Sequence, residues 1–498
     1  MVQWMLNNDV DVDQCRDNRT TGLIMASQER HTDIVTLLLE KNPNVDLCDN
    51  NGTSPLFWAS NNGHTDIVKL LLENNPNVDL CNKNGCSPLY MASYNGHTDI
   101  VKLLLENNPN VDLCDNDCNS PLLWASSNGH TDIVKLLLEK DANVDICTND
   151  GWSPLNSASN EGHTDIVKLL LEKDSNVDLC DNNGNSSLYL ACQEGHIDIV
   201  KLLLEKNHNV DLCNNDGSSP LNSASYKGHT DIVKLLLEKD TNVDLCDNDG
   251  SSPLNSASYK GHTDIVKLLL EKDANVDLCD NYGFTPLISA CTSNNMSIAH
   301  VLMKHKPNVD AQIFDGSSAL IYSTLNGNLE ITKLLVENNA DCNICCCSKQ
   351  YIIDTIKDHP SKTLEEEKRG CFDYLMENAS PHVADYVSKK AVDYVFDIEA
   401  GCSPLHFACF MGRIDTVNCL LDHNANINIT KEDGTTPLCF ACEVGHEDIV
   451  NLLLDKGADA QISRLDGKSL LTIATEIGHT SIVMMLTENM KKEDKLSS

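Results

Sequence analysis

Cysteine is the residue type best placed to do chemistry in this sequence, with 23 in the chain. Nine of them, Cys15, Cys48, Cys81, Cys114, Cys147, Cys180, Cys213, Cys246 and Cys279, recur every 33 residues. Thiols so spaced sit on successive units of a repeat, which stack about 10 Å apart at helix-packing distance. A disulfide needs Cα atoms within about 7 Å, and zinc needs sulfurs about 2.3 Å away. Neighbouring rungs of this ladder are therefore not bridged. Cys342 and the run Cys345, Cys346, Cys347 contain a chelating Cys-x-x-Cys spacing, but no second ligand pair at a fitting distance accompanies it. The turn Asp247-Asn248-Asp249-Gly250 is reminiscent of a calcium loop, yet an EF-hand would need carboxylates where this chain has Leu245 and Ser256. No phosphate-binding glycine loop, dinucleotide turn, metalloprotease helix, serine elbow or kinase signature occurs. Acidic residues recur in phase with the repeat, as do Lys267 and Glu271, which read as a solvated helix face. No residue stands out as uniquely catalytic, so neither enzymatic activity, metal nor cofactor is expected.

Charge narrows the possible partners. Lys+Arg number 37 and Asp+Glu 74, a formal net charge of −37. That excess of carboxylate repels phosphate and argues against direct binding to nucleic acid or an anionic membrane. At 41% hydrophobic the chain is too apolar for wholesale disorder. Its apolar runs, such as Ile67–Leu72, fall far short of the roughly 18 residues of a membrane span. The opening MVQWMLNNDVDVDQ has no basic segment followed by an apolar one, so no signal peptide is read there. The thiols are then expected reduced, in the cytoplasm or the nucleus.

A repeat accounts for most of the length. HTDIVKLLLE or a near copy begins at His31, His64, His97, His130, His163, His196, His229 and His262, each 33 residues after the last. Segments Gly217–Asp249 and Gly250–Tyr282 differ at two positions only. Within a unit, Asp249-Gly250 marks a tight turn, Ser252 is a good N-cap, and Pro253 suits the first helical position. Leu254, Ala257 and Ser258 predict a short helix with a small-residue face, which Gly261 stops. Ile265, Val266, Leu268, Leu269 and Leu270 predict a second helix with a broad apolar stripe. Neither helix hides its apolar face alone, so neighbouring units must stack to form the core.

This unit resembles the ankyrin repeat. Gly434, Thr436, Pro437, Leu438, Ala441, Gly445, His446, Ile449, Val450, Leu453 and Leu454 carry the family pattern. The resemblance implies an all-α solenoid of paired antiparallel helices with short β-hairpin loops, whose hairpins and first helices form a protein-binding surface. It also implies that histidines such as His64, His97 and His130 stand at the entrance of the second helix and bond locally, a structural role rather than a metal array. The family's His after Thr-Pro-Leu survives only as His406. Asn156, Asn222 and Asn255, or Phe57, Tyr90 and Tyr189, replace it, which puts fine packing between units in question.

The expected organisation is a partial repeat over 1–16, ten repeats over 17–345, a degenerate repeat with an insertion over 346–400, three repeats over 401–489 and a polar tail over 490–498. Between Ser323 and Ala408 lie 85 residues, two periods plus 19. That surplus predicts a fourteenth unit, with a first helix over Tyr351–Asp358, a lengthened second helix over Thr363–Asn378 and an expanded loop over Ser380–Ala400. Met1–Asp13 matches only the back half of a unit, which predicts a longer chain upstream, while the polar end reads as a terminus.

Aromatic residues vary where the repeat is otherwise constant. Phe57 with Trp58, Tyr90 with Met91, and Tyr94, Trp124, Trp152 and Tyr189 fall where the family's hairpins and first helices face a groove. They are candidate anchors for a protein partner, although Phe57, Trp58 and Trp124 could equally plug gaps between units. The expected function is a non-enzymatic, monomeric scaffold or adaptor that takes a basic or mixed-charge partner. The alternatives are a regulatory arm of a larger enzyme or channel, or an acidic inhibitor masking a basic segment.

Overall fold

The computed structural model describes residues 11–206, 209–358 and 363–496. Thirty α-helices and no strands occur among them. The β-hairpins are reduced to tight turns, with isolated bridges at Cys15/Thr21, Cys180/Ser186 and Gln312/Ser318. The chain divides into two compact units, Met1–Ala224 with Asp231–Asn242, and Ser225–Thr230 with Val243–Ser498. The partial repeat expected before residue 11 lies outside the described residues.

In the first unit the helix signals act as read. Ser120 Oγ accepts the Leu123 amide at 3.1 Å, and Pro121 opens the helix Pro121–Ser127. Helix Thr131–Glu139 follows and buries Ile133, Val134, Leu137 and Leu138. Full burial is worth about 1.5–3 kcal/mol for each such side chain, and the burial requires the neighbours. Pro121–Ser127 packs between the first helices Pro88–Tyr94 and Pro154–Glu161, while Thr131–Glu139 packs between Thr98–Leu105 and Thr164–Glu172.

Two polar links repeat from one unit of the array to the next. His97 Nε2 bonds the Asn61 carbonyl at 3.0 Å, and His130 bonds Tyr94 at 3.2 Å, each 36 residues back. The histidines therefore knit repeats together rather than bonding locally. Each ring also lies over the preceding turn glycine: a Cβ on Gly96, whose φ is +77°, would come within 2.7 Å of His130 Cε1. The second link runs along the turns, where Asp46 Oδ1 accepts the Asn77 amide at 2.9 Å and Asp79 Oδ1 accepts Asn110 at 3.0 Å.

The second unit repeats this plan in Ser252, which caps Pro253–Lys260, and in Gly261, which ends it at φ +85°. Here the doubt over the missing Thr-Pro-Leu-His histidines is resolved. His406 Nε2 donates to the Thr435 carbonyl at 3.1 Å, 29 residues on. Asn255 Nδ2 bonds Phe284 O across the same separation, as Asn156 Nδ2 bonds Asn185 O in the first unit. The carboxamide substitutes for the imidazole in reach and in donor.

The irregular stretch departs from expectation. Helices α1 (Ala319–Asn326) and α2 (Leu329–Glu337) are followed by α3 (Lys349–Asp358), α4 (Leu364–Asn378), α5 (Pro381–Ser388) and α6 (Val392–Glu399), then by α7 (Pro404–Phe410) and α8 (Ile414–Asp422). The expected loop over Ser380–Ala400 is thus two helices. Ser380 Oγ caps α5, Pro381 opens it, and Val383, Val387, Val395, Phe396 and Ile398 bury one face. Moreover α1 packs on α7 and α2 on α8, so the repeats stack directly and no fourteenth pair stands between them. The turn link survives the excursion: Asn343 Oδ1 accepts the Asn426 amide at 2.7 Å, a separation of 83 residues where the others span 31. The insertion lies against the stack through Arg413, which donates to the Asn378 carbonyl, and through the Glu443 carboxylate, which accepts from Tyr386 and Tyr394 hydroxyls at 2.9 and 2.7 Å. The tail expected from 490 instead prolongs the last helix, Thr480–Leu496.

Candidate partner-binding groove

The candidate anchors all lie in the first unit and separate into three groups. Phe57, Tyr90 and Tyr189 are buried, with 5%, 6% and 9% of their surface exposed. They occupy the histidine's place in the repeat and are buried there, so they present little face to a partner. This corrects their reading as anchors. Phe57 meets Trp58 edge to face at 6.0 Å, and the half-buried Trp58 donates its indole proton to Thr53 Oγ1 at 3.1 Å. That pair is a local plug.

Tyr90 has a different task. Its hydroxyl donates to Asp115 Oδ2 at 2.8 Å and accepts the Trp124 indole proton at 2.7 Å. Burial, reinforced by the Asp115 carboxylate, pushes this hydroxyl well above the ordinary tyrosine range, so it stays a protonated link. Trp124 is thereby held by a hydrogen bond at its nitrogen and by the exposed Tyr94 ring, which meets it edge to face at 4.9 Å. Met91 is half-buried one turn before Tyr94. The result is an indole with few rotamers left to lose on binding.

Trp124 and Trp152, from successive repeats, line one open groove of about 500 Å³. Asp117 and Asp150 from the turns and Glu161 from the end of helix Pro154–Glu161 line it too, and no lysine, arginine or histidine does. Two half-buried indoles in an acidic trough can take apolar and cationic groups together, through burial and cation–π attraction. The sequence pointed to both tryptophans but not to the acidic rim. Asp117 and Asp150 resemble every other turn aspartate, and only Glu161, where later repeats carry Lys227 and Lys260, was a legible signal.

The cysteine ladder is engaged locally. Cys81 Sγ donates to the Asp79 carbonyl and Cys114 to Asp112, both at 3.4 Å. Burial, with nearby Cys118 and aspartates, pushes the Cys114 thiol up to about 11, which keeps it a poor nucleophile. Among the described residues no group of three or more His, Cys, Asp or Glu is arranged to hold a metal ion, and no helix is long and apolar enough to cross a membrane.

Comparison with known proteins supplies the lineage. A family model for ankyrin repeats in three copies matches residues 1–80, 74–150, 141–212, 206–280, 272–345 and 367–464. The chain is an ankyrin-repeat protein. Ankyrin repeats serve generally as protein-interaction scaffolds, and the paired helices in tandem are their all-α solenoid. Three curated relatives share shorter stretches, all acyl-CoA-binding domain-containing protein 6. The zebrafish (Danio rerio) protein is 38% identical over 66 residues, 13% of this chain and 22% of the relative. The Xenopus tropicalis protein is 44% identical over 67 residues, 13% and 23%. The human protein is 39% identical over 62 residues, 12% and 22%. The ankyrin chain thus spans about a fifth of the length of the relatives it matches.

Proposed function

We propose that this ankyrin-repeat protein is a non-enzymatic scaffold whose groove at Trp124 and Trp152 takes a basic or mixed-charge protein segment. The observation that carries the reading is the meeting of two indoles and three carboxylates in one trough of about 500 Å³. Arg or Lys side chains of the partner lie over the indoles, with Asp117, Asp150 and Glu161 as counter-charges. The net charge of −37 speeds encounter with such a partner at low salt. The scaffold works as a monomer in a reducing compartment, where its thiols stay free.

The test is selection of peptides from a random displayed library on the full-length chain. Enriched peptides should carry Arg or Lys beside apolar residues, and their affinity should fall with salt. Trp124→Ala and Trp152→Ala should each weaken them by about tenfold or more, the loss of one well-packed anchor. Enrichment of acidic or neutral peptides, or binding indifferent to both substitutions, would overturn the proposal.

A further inference from the structure

The insertion lies over positions that other repeats leave open. The end of each first helix, at the place of Ser127 and Asn160 and one residue on at Glu161, lines the groove beside Trp124 and Trp152. At the first of these places Tyr94, Tyr226 and Tyr259 are 40, 45 and 53% exposed. The equivalent residues beside the insertion are Leu325, Phe410 and Glu443, and their exposure falls to 4, 0 and 9%. At the second place Lys227 and Lys260 are exposed, whereas Met411 and Val444 are buried. In the last repeat Glu476 and Ile477, at the same two places, are exposed again.

Helix α5 meets these places directly. The Tyr386 ring stands edge to face with Phe410 at 6.4 Å, and its hydroxyl donates to Glu443 Oε1 at 2.9 Å. His382 Nε2 donates to the Val444 carbonyl at 3.0 Å. Val383 and Val387, four residues apart and so on one face, are fully buried in the apolar cluster that holds Phe410, Met411 and Val444. Asp385, Ser388 and Lys389 are exposed. Two neighbours extend the contact: Tyr394 of α6 donates to the same Glu443 oxygen at 2.7 Å, and Tyr374 of α4 to Asn326 Oδ1 at 2.6 Å. This is the pattern of an amphipathic helix laid apolar face down in a groove. The stack beneath does not depend on it, since α1 packs on α7 and α2 on α8, and the Asn343–Asn426 link joins their turns.

We propose that these positions form a second protein-binding site, one that takes an amphipathic helix and that the insertion fills in cis. The partner helix presents two aliphatic side chains one turn apart to Phe410, Met411 and Val444, and a phenol hydroxyl to Glu443. Tethered to the same chain, the insertion acts at an effective concentration on the order of millimolar, so it closes the site until a tighter helix displaces it. The site is independent of the partner assigned to Trp124 and Trp152.

The test supplies the insertion's own helices in trans, as a fluorescent peptide of residues 379–400. Fluorescence anisotropy measures its binding to the full-length wild type and to a full-length chain carrying Val383→Asp and Val395→Asp, which loosens α5 and α6. The loosened chain should bind the peptide at least about tenfold more tightly than the wild type does. Adding Glu443→Ala, which removes the acceptor of both phenols, should weaken that binding by about tenfold. Hydrogen exchange should show α5 and α6 opening in the loosened chain while α7 and helix Pro437–Val444 keep their protection. Loss of protection in α7 would make the insertion part of the core and refute the assignment. So would equal binding by both chains, binding by neither, or indifference to Glu443→Ala.

Discussion

Replacing His406 by asparagine should make the C-terminal repeats resistant to acid while leaving their packing intact. His406 is fully buried: its Nε2 donates to the Thr435 carbonyl at 3.1 Å, and its Nδ1 accepts the Ser403 amide at 3.2 Å. A proton on Nδ1 would face that amide proton in a fully buried site. Burial accordingly lowers the imidazole from 6.5 to about 3. Because the folded value lies below the unfolded one, the stability contribution is complete above pH 6.5 and drains away as pH falls toward 3. By pH 5 the unfolded chain gains proton-binding free energy worth about 2 kcal/mol that the folded chain cannot match. Asparagine makes the same reach at position 255, and at position 156 its Oδ1 accepts from Ser153 Oγ as His406 Nδ1 meets Ser403 Oγ at 2.9 Å, so His406→Asn keeps the carbonyl bond and the serine hydroxyl bond without the titration. Hydrogen exchange over residues 403–455 at pH 7 and pH 5 reads the difference locally. The wild type should open about thirtyfold more at pH 5, the ratio equivalent to 2 kcal/mol, and the variant should not change. Equal acid sensitivity in both proteins would refute the reasoning.

Three further outcomes follow from the packing. Ser60, Ser93, Ser126 and Ser159 are buried with hydroxyls that find no partner, and the same place holds buried cysteine at 192, 291, 409 and 442; Ser93→Ala with Ser126→Ala should raise urea-unfolding stability by about 1 kcal/mol each, and a loss would count against the row being unsatisfied. Gly96→Ala should cost about 1–3 kcal/mol for its positive φ, with displacement of the His130 ring seen as a shifted imidazole NMR signal; an unshifted signal would contradict the close approach. Burial, with Asp315 and Glu367 adding to it, raises Glu399 from 4.5 to about 8; this group's contribution is therefore full below pH 4.5 and is lost as pH rises through 8, a decline that denaturant titrations of Glu399→Gln should lack.

The helix pairs were legible because each signal is local. Ser120 and Pro121 lie beside the helix they start, and Ile133 to Leu138 show their stripe within one turn or two. What lay beyond reading was set by residues about one period away. Tyr90 looks like a surface anchor until Asp115 and Trp124, 25 and 34 residues on, claim its hydroxyl. The same holds for the insertion: two periods with a small remainder and one period with a large one have equal length. The packing of α1 on α7 and of α2 on α8, with the Asn343–Asn426 bond, tells them apart.

The uniformity of the links has an evolutionary corollary. The histidines that open second helices, such as His97 and His163, reach a carbonyl 36 residues behind them, and turn aspartates such as Asp145 and Asp244 take an amide 31 residues ahead. If recombination adds or removes 33 codons, every donor meets an equivalent acceptor in the adjacent copy. Copy number in this gene is therefore free of folding constraint across its near-identical segments, and alleles of different length are to be expected wherever individuals are compared.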